Sequence, residues 1–304
     1  MATARPDPES HEITVRGLRL HYWNWAPTAT PPRTRLLLLH ATGFHARVWD
    51  QVVRRLPPTW NCIALDQRGH GRSESPADPD AYAWSEFVDD AAAFADALDL
   101  KGILGLGHSM GGFVIAGAAA KTQGDFRFRG LALADPVLID DQDPARRRPL
   151  PPAGAPPRDK AADARERRPS WRSAAAMFKS YRKRPPFDTW DETALHDYCD
   201  HALVSEGTAP FALACSPEIE AATFARTMDT NPWPGMARLG IPVAVMRGIG
   251  DHGLPSTTSP RTASATPHGY DVPIPGVSHF IPMERPDRVA DEVGRLARRL
   301  NILG

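Results

Sequence analysis

Residues 36–134 alternate between short apolar runs and longer stretches whose apolar residues fall at helical spacing, and this alternation constrains the fold more than any single residue does. Leu36–His40 is apolar up to its last residue, as a parallel strand covered on both faces is. Asn61–Asp66, Ile103–Gly107 and Leu131–Ala134 read as further strands. Between them, Ala46–Leu56 puts Val48, Trp49, Val52, Val53 and Leu56 on one helical face. Ser85–Leu100 does the same with Phe87, Val88, Ala91, Phe94, Ala95 and Leu98, and Ser109–Lys121 reads as a helix of small residues. A hairpin, Ile13–Arg16 and Arg19–Trp25, precedes them. The pattern predicts an α/β fold, with a mostly parallel central sheet and helices on both faces.

The alternation stops near residue 135. Asp140–Pro169 has no periodicity, is rich in Pro, Arg and Ala, and reads as a mobile loop. Trp171–Arg182, Glu192–Val204 and Glu218–Met228 have helical patterns, with no strand expected before Ile241. Strands resume at Pro242–Arg247 and Tyr270–Ile274, and Val289–Leu300 closes the chain as an amphipathic helix. The expected organisation is a core in two parts, residues 1–135 and 236–304, interrupted by a helical cap over 136–235 that returns at Asn231–Pro234. Trp171, Met177, Phe178, Tyr181, Trp190, Phe211, Phe224 and Trp233 are its candidate pocket residues.

Within this frame Gly107-His108-Ser109-Met110-Gly111 matches G-x-S-x-G, with an apolar strand before it and a helix after it. That context places Ser109 on a sharp strand-to-helix turn, its hydroxyl raised above the sheet. The Met110 N–H, at the helix start, is then aimed at a developing oxyanion. A serine hydroxyl needs a base to act as a nucleophile. His279, in a loop after the last strand, is the candidate. An acid between Ser109 and His279 in chain order is expected to orient the imidazole. Asp251 follows the strand Pro242–Arg247 and is preferred; Asp135, after Leu131–Ala134, is the competitor.

Four segments in order then resemble the α/β-hydrolase fold superfamily, specifically its single-domain enzymes with a helical cap. They are His40-Ala-Thr-Gly-Phe-His-Ala-Arg-Val-Trp49, Asp66-Gln-Arg-Gly-His-Gly-Arg-Ser73, Gly107–Gly111, and Ser278-His279 with Pro282, Pro286 and Asp287. The resemblance implies a Ser109–His279–Asp251 triad. It also implies an oxyanion hole built from the N–H groups of Met110 and Thr42. Ala41 stands where the family usually has glycine, so Phe44 is the alternative to Thr42. Asp66, Arg68, His70 and Arg72 are expected to brace the oxyanion turn.

The implied activity is hydrolysis of a small-to-medium carboxylic ester through an acyl-enzyme. Carbon–carbon bond hydrolysis, lactonase or perhydrolase chemistry are alternatives on the same triad, and a non-catalytic receptor is a further one. No cofactor and no metal are expected. Lys plus Arg and Asp plus Glu are equal at 36, which argues against a general nucleic-acid partner. No apolar run reaches membrane-spanning length. The N-terminus lacks a secretory signal pattern and Cys62, Cys199 and Cys215 make no disulfide framework, so a cytoplasmic location is expected. The expected partner is a small-molecule ester, and the sequence does not fix an oligomeric state. The neutral total hides an imbalance: residues 144–184 carry 13 basic and 3 acidic residues, and residues 185–235 carry 1 and 9. Mutual attraction of the two halves is the expected consequence.

Overall fold

The computed structural model describes residues 5–28, 32, 34–123, 127–138, 159–204, 210–227, 233–250, 252–256 and 258–302. Eleven strands are assigned among them. β1 (Glu9–Val15) and β2 (Leu18–Trp25) form the hairpin, followed by β3 (Thr34–Leu39), β4 (Trp60–Asp66), β5 (Ile103–His108) and β6 (Phe128–Ala134). β7 (Ser170–Trp171), β8 (Leu203–Val204) and β9 (Phe211–Leu213) form a small second sheet. β10 (Val243–Ile249) and β11 (Gly269–Pro275) complete the large one. Its order is β1-β2-β4-β3-β5-β6-β10-β11. Every pairing from β4 to β11 is parallel, while β2 is antiparallel to both of its neighbours.

The sequence explains the layering. β5 is buried at every position and β3 at all but Arg35, so both faces of the central sheet need covers. On one side lie Trp84–Ala97 and Met110–Lys121, which pack Phe87, Phe94, Phe113 and Ile115 against Leu37, Leu39 and Leu133. On the other, Pro286–Arg299 buries Val289, Val293 and Leu296. The predicted apolar face of that helix is the face it buries.

The segment between β6 and β10, expected to be mostly helical with no strand, holds strands as well. Besides helices at Ala174–Tyr181, Glu192–His201 and Pro217–Ala225, it holds the small antiparallel sheet, whose strands are two or three residues long. Such strands are too short for alternation to show in the sequence. Part of the expected loop, Lys160–Arg165, is helical, capped by the Asp159 carboxylate accepting from the Ala161 and Ala162 N–H groups. The rest of that expectation, residues 140–158, and the first half of the expected hinge, Asn231-Pro232, lie outside the described residues. The charge imbalance has a visible counterpart: Arg167, from the basic half, pairs with Glu220 from the acidic half.

Candidate active site

The parallel register brings the chemistry together. β5 and β6 are neighbours with His108 opposite Ala134, so the next residue of each strand, Ser109 and Asp135, leaves the same sheet edge side by side. The Ser109 N–H donates to the Ala134 carbonyl (3.0 Å), and the Asp135 N–H to that of Met246 on β10 (2.8 Å). Ser109 sits at φ 55°, ψ −116°, a strained conformation for a residue with a side chain, at the start of the Met110–Lys121 helix. This is the expected elbow.

The Ser109 hydroxyl lies 3.0 Å from His279 Nε2, and His279 Nδ1 lies 2.9 Å from Asp135 Oδ1. The acid beside the imidazole is therefore Asp135, the competitor, and the preference for Asp251 is corrected. Asp251 itself lies outside the described residues. The physical reason is strand length. β10 runs on to Ile249, still paired with Pro275 of β11, so the chain has travelled further along the sheet before it turns. Its following loop serves as scaffolding. The Leu254 carbonyl accepts from the His279 N–H (2.7 Å), and the Thr258 hydroxyl donates to Asp135 Oδ1 (3.1 Å). Asp135, at φ 43°, also accepts from the Gly248 N–H (3.1 Å). Burial opposes its ionisation, but the hydrogen bond and charge of His279, with hydrogen bonds from the Ser256 side chain and the Gly248 N–H, outweigh that and hold its pKa below the ordinary carboxylate value. An ionised Asp135 fixes the proton of neutral His279 on Nδ1 and leaves Nε2 to accept from Ser109. Ser109 is 9% exposed and His279 6%, so both reacting side chains are buried.

The turn expected to supply an oxyanion donor follows β3. Its Phe44 N–H donates to the Ala41 carbonyl (3.2 Å) and its Gly43 N–H to His70 Nε2 (3.0 Å). Both are engaged, which favours Thr42 over Phe44 as the turn's donor. The Met110 N–H, in the first turn of its helix, has no intrahelical acceptor. Thr42 and Met110 also touch through their side chains, the Thr42 hydroxyl donating to Met110 Sδ (3.2 Å). Gly43 adopts φ 79°, and a side chain there would meet the Glu220 carboxylate at 2.6 Å, so Gly43 admits the Arg167–Glu220 pair against the turn.

The Asp66–Ser73 loop braces this turn from behind. Buried Asp66 accepts from the Ala46 N–H (2.7 Å), the Arg72 N–H (3.2 Å) and His21 Nδ1 (2.8 Å). His70 holds Gly43. Arg68 instead anchors the loop to the Trp84–Ala97 helix through both oxygens of Asp90 (2.6 and 2.8 Å), and Arg72 stacks over Trp23.

Next to the imidazole, Phe280 lies 5.4 Å from His279, and Phe44 meets Trp190, Tyr198 and Phe280 at ring-centroid distances of 5.4 to 6.0 Å. Of the candidate pocket residues, only Trp190 is in this ring set. Tyr181 touches Tyr198 from behind, Trp171, Met177 and Phe178 are buried in the same apolar core, and Phe224 packs on Ala161, Ala164 and Ala221. Trp233 packs against the cluster on the opposite side of the sheet. Tyr198 and Phe280 went unnoticed in the sequence, although Phe280 directly follows the candidate base.

Four fully buried histidines hold this framework. His40 Nε2 accepts from the Gln67 N–H and His70 Nε2 from that of Gly43, while His45 donates to the Tyr198 carbonyl and His108 to that of His279. Burial pulls His40 and His108 down to about 3, and His45 and His70 to about 4. Unfolded, each titrates near 6.5. Below that pH the unfolded chain binds protons that the folded chain refuses, so the stability these groups contribute is complete above pH 6.5 and lost as pH falls, towards 4 for His45 and His70 and towards 3 for His40 and His108. At about 1.4 kcal/mol per pH unit for each, the loss is roughly 2 kcal/mol per histidine at pH 5. Against a usual stability of about 5–15 kcal/mol, acid unfolding followed by circular dichroism is expected to have its midpoint near pH 5. Undiminished thermal stability at pH 4.5 would contradict this account.

No group of three or more His, Cys, Asp or Glu among the described residues is arranged to hold a metal ion, and no helix among them is long and apolar enough to cross a membrane. Cys62, Cys199 and Cys215 are free and buried.

The chain resembles known proteins at both levels. It is 36% identical over 114 residues to a non-heme chloroperoxidase from Streptomyces lividans, a stretch covering 36% of this chain and 38% of that protein. It is also 36% identical over 130 residues to a monoacylglycerol lipase from Mycolicibacterium smegmatis, covering 41% and 45%. The chain thus spans less than half the length of the curated relatives it matches. Among solved structures, the peroxisomal alpha-beta-hydrolase Lpx1 from Saccharomyces cerevisiae superposes with a TM-score of 0.77 at 17% identity, over 99% of this chain and 91% of that one. E-2-(acetamidomethylene)succinate hydrolase gives 0.73 at 19%, over 96% and 99%. These likenesses show the shared fold. The sequence model of the alpha/beta hydrolase family matches residues 36–292, and the chain belongs to that family.

Proposed function

We propose that the protein is a serine hydrolase of small-to-medium carboxylic esters, with Ser109 as nucleophile, His279 as base and Asp135 as its orienting acid. The observation that carries this reading is the unbroken hydrogen-bonded line from Ser109 Oγ through His279 to Asp135. His279 Nε2 takes the Ser109 proton as Oγ attacks the ester carbonyl. The resulting imidazolium is stabilised by the Asp135 carboxylate. The oxyanion is received by the N–H groups of Met110 and Thr42. His279 returns its proton to the leaving alcohol, and water then attacks the acyl-enzyme by the same route in reverse. None of these steps requires a metal or an organic cofactor. Phe44, Trp190, Tyr198 and Phe280 offer an apolar surface for the acyl chain. The monoacylglycerol lipase named above acts, by its name, on esters.

A second reading has its own support. A bifunctional esterase/perhydrolase from Acinetobacter calcoaceticus is 30% identical over 113 residues, covering 37% of this chain and 39% of that protein. Hydrogen peroxide in place of water at the deacylation step would release a peracid from the same acyl-enzyme.

Fluorophosphonate labelling tests the enzyme reading. The wild-type protein is expected to label and Ser109→Ala is not; absence of Ser109-dependent labelling would sink the proposal. Against p-nitrophenyl esters from acetate to palmitate, a short-to-medium preference is expected, and a preference for palmitate contradicts it. Peracid formation in the presence of peroxide would favour the second reading.

A further inference from the structure

We propose that Glu284 is a positioning residue for this site: one buried carboxylate holds the loop that carries His279 and latches the cap segment that carries Trp190. The inference rests on the serine-hydrolase reading above and deepens it. Glu284 ends the short helix Ile281–Glu284, shortly after the base, and its side chain is 4% exposed. No step of the proposed reaction uses it. Burying a carboxylate is costly unless donors surround it. The Ser278 N–H donates to Oε2 (2.8 Å), and the Ser278 and Thr189 hydroxyls donate to Oε1 (2.5 and 2.7 Å). Partly exposed His252 stands with its Nε2 3.5 Å from Oε2.

Two of these donors lead to the base. Ser278 directly precedes His279, and its hydroxyl also accepts from the Phe280 N–H (3.2 Å). Glu284 therefore grips the residue before the imidazole directly and the residue after it through Ser278. The Thr189 donor leads to the cap. Thr189 precedes Trp190, and on the other flank the Asp191 N–H donates to the Met283 carbonyl (2.9 Å). Trp190 is thus pinned on both sides to the helical turn that ends in Glu284. Its ring packs on Phe280 and Phe44 at centroid distances of 5.4 and 5.6 Å. Charge lets one group serve all of these. An ionised carboxylate only accepts, at two oxygens, and its hydrogen bonds are roughly twice as strong as neutral ones.

The two sides of the arrangement separate kinetically. Loosening the His279 loop misplaces the base and acts on kcat; a misplacement of about 1 Å costs about 10²-fold. Loosening Trp190 moves a wall of the proposed acyl surface. That weakens binding of ground state and transition state alike, so it acts on KM.

Thr189→Val removes the cap's donor and leaves Ser278 and Phe280 held. KM for p-nitrophenyl butyrate is expected to rise about threefold to tenfold with kcat within about twofold of wild type, and Thr189→Ser should restore KM. Glu284→Gln presents one oxygen and one NH₂ group where three donors meet. Its kcat is expected to fall about tenfold or more, with KM raised as in Thr189→Val. The rate of fluorophosphonate labelling at Ser109, which depends on the base, should fall with kcat in Glu284→Gln and hold in Thr189→Val. A merely structural role would lower activity in step with the melting temperature and would not split kcat from KM between the two variants. The proposal is overturned if Glu284→Gln turns over and labels like wild type, if Thr189→Val leaves KM unchanged, or if Thr189→Val lowers kcat and labelling as Glu284→Gln does. Should Glu284→Gln lose its cooperative melt, Ser278→Ala tests the side of the base. It removes the contact to Oε1 and the acceptor of the Phe280 N–H, so kcat and labelling should fall while KM holds; wild-type rates there overturn the proposal. Failure of the parent reading looks different: wild-type protein that neither labels at Ser109 nor turns over esters sinks both. A Ser109-dependent esterase indifferent to these substitutions sinks only this one.

Discussion

Asp135→Asn is expected to lower kcat for p-nitrophenyl esters by about 10⁴-fold, whereas Asp251→Asn should leave it within about threefold. The argument is about the tautomer. His279 Nδ1 faces Asp135 Oδ1 at 2.9 Å, and the carboxylate also receives the Gly248 N–H and the Thr258 hydroxyl. Each of these contacts comes from a donor, so the imidazole meets a full negative charge and keeps its proton on Nδ1. An amide at position 135 can turn its NH₂ towards the ring, which moves the imidazole proton to Nε2 and leaves Ser109 without a base. In serine proteases the equivalent change has an effect of about 10⁴-fold in kcat. Asp135 is fully buried and its neighbours are fixed by β5, β6 and β10, so no solvent or side-chain movement substitutes for it. The measurement is kcat for both variants at pH 7.5, with melting temperatures to separate chemistry from folding. A collapse in Asp251→Asn with Asp135→Asn active would reverse the assignment.

That contrast also shows where sequence reading stops. The elbow serine and the loop histidine were legible because each is marked locally: Ser109 by the strand before it, the helix after it and its flanking glycines, His279 by its place after the last strand. The sequence offers no such mark for the acid. Asp135-Pro136 and Gly250-Asp251 both follow an apolar strand, and the extra residues of β10 are what tell the two strand ends apart. The oxyanion turn was similarly open between Thr42 and Phe44. The engagement of the Gly43 and Phe44 N–H groups by His70 and Ala41 is what favours Thr42, and the sequence does not display it. The aromatic set that reaches His279 through Phe280 was least legible. Phe44, Trp190, Tyr198 and Phe280 come from three separate stretches of chain, and no periodicity within one stretch records contacts among them. The large sheet was readable because burial on both faces makes its strands apolar throughout. The small sheet was not, because a strand of two residues has no pattern.

Gly111→Ala is expected to destabilise the protein by about 3 kcal/mol or more and to impair turnover beyond what the stability loss explains. A Cβ at Gly111 would lie 2.1 Å from the Leu39 carbonyl oxygen and 2.6 Å from that of His40. Neither obstacle is the end of a flexible side chain. Leu39 is the last residue of β3, paired to β4 on one side and to β5 on the other, so its carbonyl cannot give way without disturbing the centre of the sheet. Overpacking against flexible neighbours costs about 1–3 kcal/mol; against backbone the upper end or more is expected. At roughly 2–4 °C per kcal/mol, the melting temperature should fall by about 6–12 °C. Gly240, where a Cβ meets nothing within 4 Å, supplies the matched control, and Gly240→Ala should melt with the wild type. The functional part follows from what Gly111 joins. On its side of the contact, two residues back, is Ser109, with Met110 between; on the other side, Leu39-His40 leads directly into Thr42. Prising the helix from β3 therefore separates Met110 from Thr42, the two proposed sources of the oxyanion N–H groups. A misplacement of about 1 Å at such a site is enough to cost about 10²-fold. A Gly111→Ala protein that melts within about 2 °C of wild type and keeps its kcat would mean that the elbow is not seated on β3 as described.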